Sequence, residues 1–188
     1  MAQAGHVGDA PTARAGLSDR APTVRSTALG ALERLGALTD ADLSDALADG
    51  HPSVRRRAVE LAVTHPGVTL VPALDDPDPS VVEMAAWAAG EREEGAAVER
   101  LARMATGDTG HADPLCREAA VAALGAIGDP AGLAAVLAAL DDKPAIRRRA
   151  AVALAAFDGP AVEAALRRCL DDRDWQVRQV AEDLLAID

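Results

Sequence analysis

Aromatic residues are almost missing from this sequence of 188 residues, which has two tryptophans, one phenylalanine and no tyrosine. Alanine is abundant instead, with 45 residues. A core without aromatic rings has to be built from small side chains that approach each other closely. This composition therefore favours many short, tightly packed helices over a β-sandwich.

Cysteine and long apolar runs are also scarce. Cys116 and Cys169 are too few for a disulfide framework and lie among apolar residues, so we interpret them as reduced core thiols. No apolar run approaches the roughly 18 residues of a membrane span. The N-terminal segment lacks the apolar core of a signal peptide. We therefore predict a cytoplasmic protein that does not contact a membrane.

Positive charge is in short supply. The formal net charge is −11, and only one of the 19 basic residues is a lysine, Lys143. Because a protein that holds a DNA duplex needs several cationic contacts to phosphate, this balance disfavours nucleic acid as the partner. A DNA-binding, glycosylase-like function is therefore the weakest of the alternatives.

One short pattern organises the chain. An anchor residue is followed two positions later by an apolar residue, and successive anchors lie 27 to 35 residues apart. The six anchors are Pro22, Pro52, Pro79, Pro114, Pro144 and Trp175. Alanine stands six positions after every anchor, at Ala28, Ala58, Ala85, Ala120, Ala150 and Ala181. The apolar positions share one side of a helix, so each unit is predicted to begin with an amphipathic helix.

A second apolar stretch follows each first helix. These second helices are predicted at 39–48, 66–74, 94–105, 130–140 and 160–170. Residues 1–7 are predicted to be a flexible terminus, residues 8–19 a lone second helix, and residues 174–187 a terminal first helix. The predicted fold is an all-α, right-handed α-solenoid of about 12 short antiparallel helices, forming one domain over 8–188 with units starting at 22, 52, 79, 114 and 144.

The repeated columns resemble those of HEAT-like repeat proteins. The segment Asp49-Gly-His-Pro52-Ser-Val-Arg55-Arg-Arg-Ala58 shows the signature, in the short form also known from phycobilin lyase subunits. The resemblance covers roughly residues 8–188. It implies the fold more than the function, because members of the family scaffold proteins, act in chromophore attachment, bind DNA or carry a di-iron site.

Two polar columns accompany the anchors. Aspartate stands three positions before five of them, at Asp19, Asp49, Asp76, Asp141 and Asp172. Arginine stands three positions after five of them, at Arg25, Arg55, Arg117, Arg147 and Arg178. An aspartate before a helix caps free N–H groups, and the two columns are placed to pair along the stack. We interpret both as a structural ladder.

Each column has one exception, and the two are adjacent. Val82 replaces the arginine of the third unit and His111 replaces the aspartate of the fourth. The widest anchor spacing lies between these units and creates the loop 106–113, which includes Asp108. One missing pair in the ladder explains both exceptions. This joint is either a harmless loop insertion or a hinge or binding loop, with Asp108 and His111 as candidate partner-binding residues.

Three further residues are candidates for contact with a partner. Trp87 falls outside the apolar columns, on the outer side of its helix, where it is either an interface anchor or a ring lying over its neighbours. The stretch 131–140 has no charged residue, so that Ala134 and Ala138 are expected in the inner groove. Singly exposed alanines also need no partner, and both interpretations stay open.

No catalytic or metal-binding group is recognisable. The di-iron enzymes of the family that this sequence resembles bind metal through His-Glu pairs. The sequence contains no His-Glu dipeptide. The two cysteines are too far apart for a zinc site. We predict a non-enzymatic scaffold without cofactor or metal, which binds another protein and is a monomer or weak dimer. The alternative is a lyase-like protein that handles a tetrapyrrole or another cofactor.

Overall fold

A computed structural model describes residues 9–107 and 109–186. Within these ranges the chain forms eleven α-helices and five 3₁₀-helices and no β-strand, which confirms the predicted all-helical fold. The predicted flexible terminus 1–7 and Asp108 lie outside the described residues. None of the described helices combines the length and apolar character that a membrane span requires.

The helices of the N-terminal half follow the predicted alternation. They are α1 (Ala10–Ala15), α2 (Pro22–Arg34), α3 (Asp40–Leu47), α4 (Pro52–Ala62) and α5 (Pro79–Glu91). Short 3₁₀-helices follow α1 at Gly16–Ser18 and precede α5 at Val71–Asp75. Prolines occupy the first position of α2, α4 and α5 because the N–H that proline lacks has no partner in the first turn of a helix.

The helices of the C-terminal half continue the pattern. They are α6 (Val98–Ala105), α7 (Pro114–Ile127), α8 (Leu133–Ala139), α9 (Pro144–Ala153), α10 (Pro160–Cys169) and α11 (Trp175–Leu185). Three 3₁₀-helices, Gly95–Ala97, Pro130–Gly132 and Leu154–Ala156, extend α6, α8 and α9. The predicted helices 94–105 and 130–140 therefore each begin as a 3₁₀ turn.

One predicted second helix is wrong. Residues 66–74 form no α-helix, and only Val71–Asp75 is helical, as a 3₁₀ turn. Pro72 explains this difference, since it has no N–H to donate and its ring would clash with the carbonyl four residues earlier in an α-helix. Gly67 and the β-branched Thr69 weaken the helix further.

The chain divides into two compact units, one ending at Ala88 and the other beginning at Ala89. The division falls inside α5, the helix that carries Val82 and Trp87. The single domain over 8–188, the right-handed turn of the solenoid and the bending of the joint stay predictions.

The alanine column lies in the core of both units. All six alanines six positions after an anchor are fully buried. In the second unit, α7 lies close to α9 at Gly125, where an added Cβ would lie 2.7 Å from Cβ of Ala153. Small side chains are therefore a packing requirement of these helix crossings.

A histidine links three elements of the first unit. His65 follows α4; its Nε2 lies 3.0 Å from Oε2 of Glu33 on α2, and its Nδ1 lies 3.0 Å from Oδ1 of Asp40 on α3. Thr64 donates a further hydrogen bond to Glu33. The hydrogen bond with Glu33, reinforced by Asp40, raises the pKa of His65 above its ordinary value. Protonated His65 therefore ties α2 and α3 to the end of α4.

We expect this cluster to make stability depend on pH. Because the folded state raises the pKa of His65, its contribution is fully present below the unfolded value of about 6.5 and is lost as pH rises through the folded value. The free energy of unfolding should fall between about pH 6 and 8, and His65→Gln should flatten that slope. Urea unfolding across this range measures it. A His65→Gln chain that keeps the parent slope would contradict the assignment.

Candidate functional site: the ladder and the alanine groove

Four arginines of the ladder reach the next repeat. In each pair, which we call a rung, Nε and Nη2 of the arginine donate to the two carboxylate oxygens of one aspartate, at 2.6 to 3.1 Å. The first unit holds the rungs Arg25–Asp49 and Arg55–Asp76, and the second unit holds Arg117–Asp142 and Arg147–Asp172. This two-pronged geometry is specific to arginine.

The third prong of each arginine binds its own repeat. Nη1 of Arg25 donates to the carbonyl oxygen of Asp19 at 2.9 Å, and Nη1 of Arg147 donates to that of Asp142 at 3.1 Å. The same bond runs from Arg55 to Asp49, from Arg117 to His111 and from Arg178 to Asp172. One guanidinium therefore joins the turn before its own helix to the turn before the next.

The aspartates also fix the turn in which they lie. A carboxylate oxygen of Asp49 accepts the N–H of His51 at 2.8 Å, and one of Asp172 accepts the N–H of Asp174 at 2.7 Å. The guanidinium of Arg147 holds the pKa of Asp172 below its ordinary value, and Arg117 does the same for Asp142. Each rung aspartate is therefore a carboxylate at neutral pH, stabilised by its arginine and by the backbone.

The assignment of Asp141 to the ladder is wrong by one residue. Asp142 binds Arg117, and both side chains are only 7% exposed, whereas the side chain of Asp141 is 77% exposed and lies 3.8 Å from Arg168. The turn before Pro144 is one residue shorter than the others. Asp142 consequently accepts the N–H of the very next residue, Lys143, at 2.7 Å.

The two exceptions of the ladder keep structural roles. Val82 is buried among the apolar residues of the first unit. In the second unit, Nδ1 of His111 accepts the N–H of Asp113 at 3.1 Å, just as a ladder aspartate accepts the N–H of the residue two positions after it. The carbonyl oxygen of His111 accepts a hydrogen bond from Arg117. His111 therefore stabilises the turn as an aspartate does, through a hydrogen bond with the backbone. Its contact with a partner stays a prediction, and Asp108 lies outside the described residues.

A further pair in the first unit has no counterpart in the columns. Nη1 of Arg14 on α1 donates to both carboxylate oxygens of Asp42 on α3, at 2.7 and 2.9 Å, and its Nη2 donates to the carbonyl of Ala37. Sequence reasoning missed this pair because it joins two second helices, whose sequences repeat less regularly. Asp42 gave only a local signal, as the third residue after the capping Thr39.

The second helices of the second unit line a groove of about 810 Å³. Its lining includes the exposed alanines Ala131 and Ala134 and the charged residues Glu99, Arg103 and Asp129. A neighbouring hollow between α8 and α10 is lined by Ala138, Ala161, Ala164 and Arg168, among others. We call this surface, from Glu99 to Arg168, the alanine groove. Both predicted groove residues, Ala134 and Ala138, lie in it.

Residues 109–186 match the family model for HEAT repeats. Solved structures of the same architecture align over nearly the whole chain. The second unit of the chain is therefore similar to HEAT repeats over residues 109–186. A designed armadillo repeat protein shares 18% identity at a TM-score of 0.67, over 94% of this chain and 98% of that one. Comparison with curated protein sequences gives no match.

Two other solved structures are similar to this chain in fold. A designed armadillo repeat protein in complex with the peptide (KR)4 has a TM-score of 0.70 and 18% identity, over 95% of this chain and 98% of that one. Human deoxyhypusine hydroxylase in complex with glycerol has a TM-score of 0.53 and 22% identity, over 99% of this chain and 75% of that one. At these identities the likeness is one of fold.

Trp87 is the exposed large hydrophobic side chain of α5. Its side chain is 43% exposed, although the alanines on either side of it are buried. The ring therefore projects from the helix into solvent over part of its surface. Its role as an anchor for a partner stays a prediction.

Over residues 9–107 and 109–186, no three His, Cys, Asp or Glu side chains are placed to hold a metal ion. Cys116 and Cys169 are both buried. Burial raises the pKa of Cys169, which makes it a poor nucleophile at neutral pH.

Proposed function

We propose that this protein is a non-enzymatic scaffold that binds an extended segment of another protein along the alanine groove. The observation that carries the proposal is the groove itself, an open hollow of about 810 Å³ whose lining includes the exposed alanines Ala131 and Ala134. Small side chains let the backbone of a bound segment approach closely, and they leave room for its side chains.

The charges of the protein favour a segment that is basic as well as apolar. The chain has a net charge of −11, which attracts a positively charged partner over the distance of a few Debye lengths at most. Among the residues that line the groove, Glu99 and Asp129 are acidic and Arg103 is basic, with Nη1 of Arg103 3.7 Å from Oε1 of Glu99, so the lining carries a net negative charge. The complex of a designed solenoid with the peptide (KR)4 supports such a ligand for this architecture. We place the protein in the cytoplasm, where its buried thiols stay reduced.

Blocking the groove tests this proposal. Peptides selected from a displayed random library should bind Ala134→Tyr at least about 10-fold more weakly than the parent chain, because the tyrosine ring would occupy part of the groove. Fluorescence anisotropy of each labelled peptide measures its Kd. Val152→Tyr is the matched control, since Val152 is an exposed helical residue of the same unit outside the groove.

The outcomes separate the groove from other surfaces. Peptides that bind Ala134→Tyr and Val152→Tyr equally well would contradict the groove as the binding surface. The same titration with Trp87→Ala tests the first unit, because only a ligand anchored on that ring should lose affinity. A library that yields no binder to the folded chain would contradict the scaffold function.

A further inference from the structure

Two arginines of the alanine groove are held far less firmly than those of the ladder. Nη1 of Arg103 lies 3.7 Å from Oε1 of Glu99, and Nη2 of Arg168 lies 3.8 Å from Oδ2 of Asp141. Both contacts are longer than a hydrogen bond, and the two arginine side chains are 60% and 61% exposed. Because exposed contacts of this length contribute little to stability, both guanidiniums are available to a ligand.

The second helices bring both arginines to the same edge of the groove. An added Cβ at Gly107, just after α6, would lie 3.4 Å from Oδ2 of Asp142, which follows α8. The contact between Asp141 and Arg168 likewise connects the end of α8 to the end of α10. The three helices therefore lie side by side with their C-terminal ends at one edge.

The two arginines also occupy the same place in their repeats. The helical segments that contain α6, α8 and α10 begin at Gly95, Pro130 and Pro160. Arg103, Ala138 and Arg168 each stand eight positions after that first residue. Ala138 is exposed and shares a hollow with Arg168. Since neighbouring helices pack about 8–10 Å apart, the two long side chains can reach over this alanine from opposite sides.

The carboxylates of the groove lie mainly toward its other edge. Glu99 is in the first turn of α6, and Asp129 caps the 3₁₀-helix that leads into α8. Among the described residues that line the two hollows, Asp141 is the one carboxylate at the arginine edge. The groove is therefore negative near the starts of its helices, and it has two guanidiniums to one carboxylate near their ends.

We propose that the segment bound in the alanine groove carries charges of both signs. Its acidic side chain lies over Ala138, between Arg103 and Arg168. Its basic side chain lies beside Glu99 and Asp129. This inference rests on the proposed function, whose ligand it specifies further. Because a guanidinium binds a carboxylate through parallel N–H groups, the two arginines fix the position of the segment along the groove.

The charge pattern is tested with peptides selected on the parent chain from a displayed random library and synthesised with blocked ends, so that only side chains supply charge. The peptides should contain Asp or Glu as well as Lys or Arg. Replacing the acidic residue by its amide should weaken binding to the parent about 10-fold or more, measured by fluorescence anisotropy. On Arg103→Gln or Arg168→Gln, the same change in the peptide should cost less than about 3-fold.

Arg149→Gln is the matched control. Arg149 is an exposed arginine of α9 with a similar contact, its Nη2 3.6 Å from Oε1 of Glu118, and it is outside the lining of both hollows. The substitution removes one positive charge away from the groove, so the change in the peptide should still cost about 10-fold. Unchanged circular dichroism shows that each variant is folded.

Failure of this inference differs from failure of the proposed function. Peptides without Asp or Glu would overturn the inference, although Ala134→Tyr would still weaken their binding. An acidic residue whose replacement costs the same on the parent, Arg103→Gln and Arg168→Gln would overturn it in the same way. Equal binding to Ala134→Tyr and to the parent would instead contradict the groove itself, and the inference with it.

Discussion

Asp142→Ala should lower the free energy of unfolding by about 3 kcal/mol or more, whereas Asp141→Ala should lower it by about 0.5 kcal/mol or less. The two aspartates are neighbours, but only Asp142 is buried against an arginine, with both side chains 7% exposed. Its removal leaves the guanidinium of Arg117 inside the protein without its carboxylate. Asp141 faces solvent beside Arg168. Urea unfolding of the two variants against the parent measures both values.

A double-mutant cycle identifies the cause of the loss. Arg117→Met should also be strongly destabilising, and combining it with Asp142→Ala should cost less than the sum of the two, because no unpaired charge remains. Additive losses would show that Asp142 stabilises the turn through Lys143 alone. Equal losses at Asp141 and Asp142 would contradict the one-residue correction of the ladder.

Gly125→Ala should destabilise the second unit by about 1–3 kcal/mol even though alanine is the better helix former. Its new Cβ would lie 2.7 Å from Cβ and 2.9 Å from Cα of Ala153, so α7 and α9 must move apart. The gain of about 1 kcal/mol from replacing a glycine within a helix offsets only part of that cost. Thermal and urea unfolding measure the balance.

Gly95→Ala is the matched control for this packing effect. A Cβ at Gly95 meets no atom within 4 Å, and the backbone there does not need glycine. The substitution should therefore be neutral or stabilise by a few tenths of a kcal/mol, through the unfolded state. If both glycines respond alike, close approach of α7 and α9 is not what selects a small residue at position 125.

The fold could be predicted because each repeat states the same physics again. An apolar stripe and an alanine recur at all six anchors, and a proline starts the helix at five of them. The structure places all six alanines in the core. The prediction of a helix at 66–74 was wrong, because Pro72 and Gly67 oppose an α-helix despite the apolar residues of this segment. In that segment the backbone chemistry of single residues prevailed over periodicity.

The candidate site was less accessible to sequence reasoning. Ala134 and Ala138 were placed in the groove from the lack of charge in their segment, which is a property of the sequence. The linkage of His65 to Glu33 and Asp40 joins residues 25 to 32 positions apart and has no periodic signal. Asp141 stands three positions before its anchor, as the other ladder aspartates do. The turn before Pro144 is one residue shorter, so Asp142 binds Arg117 instead. Contacts that depend on turn length need coordinates.

The arginine fork also has an evolutionary consequence. A repeat that keeps both columns has an acceptor in its opening turn and, five or six residues later, an arginine whose Nε and Nη2 face the repeat that follows. A duplicated stretch of about one repeat would therefore carry both halves of the linkage and be paired at its two new junctions from the start. Duplication of a repeat therefore needs no compensating substitution, whereas substitution of one residue of an Arg–Asp pair leaves the other residue without its partner. Duplication of whole repeats should therefore be tolerated more easily than substitution of single ladder residues.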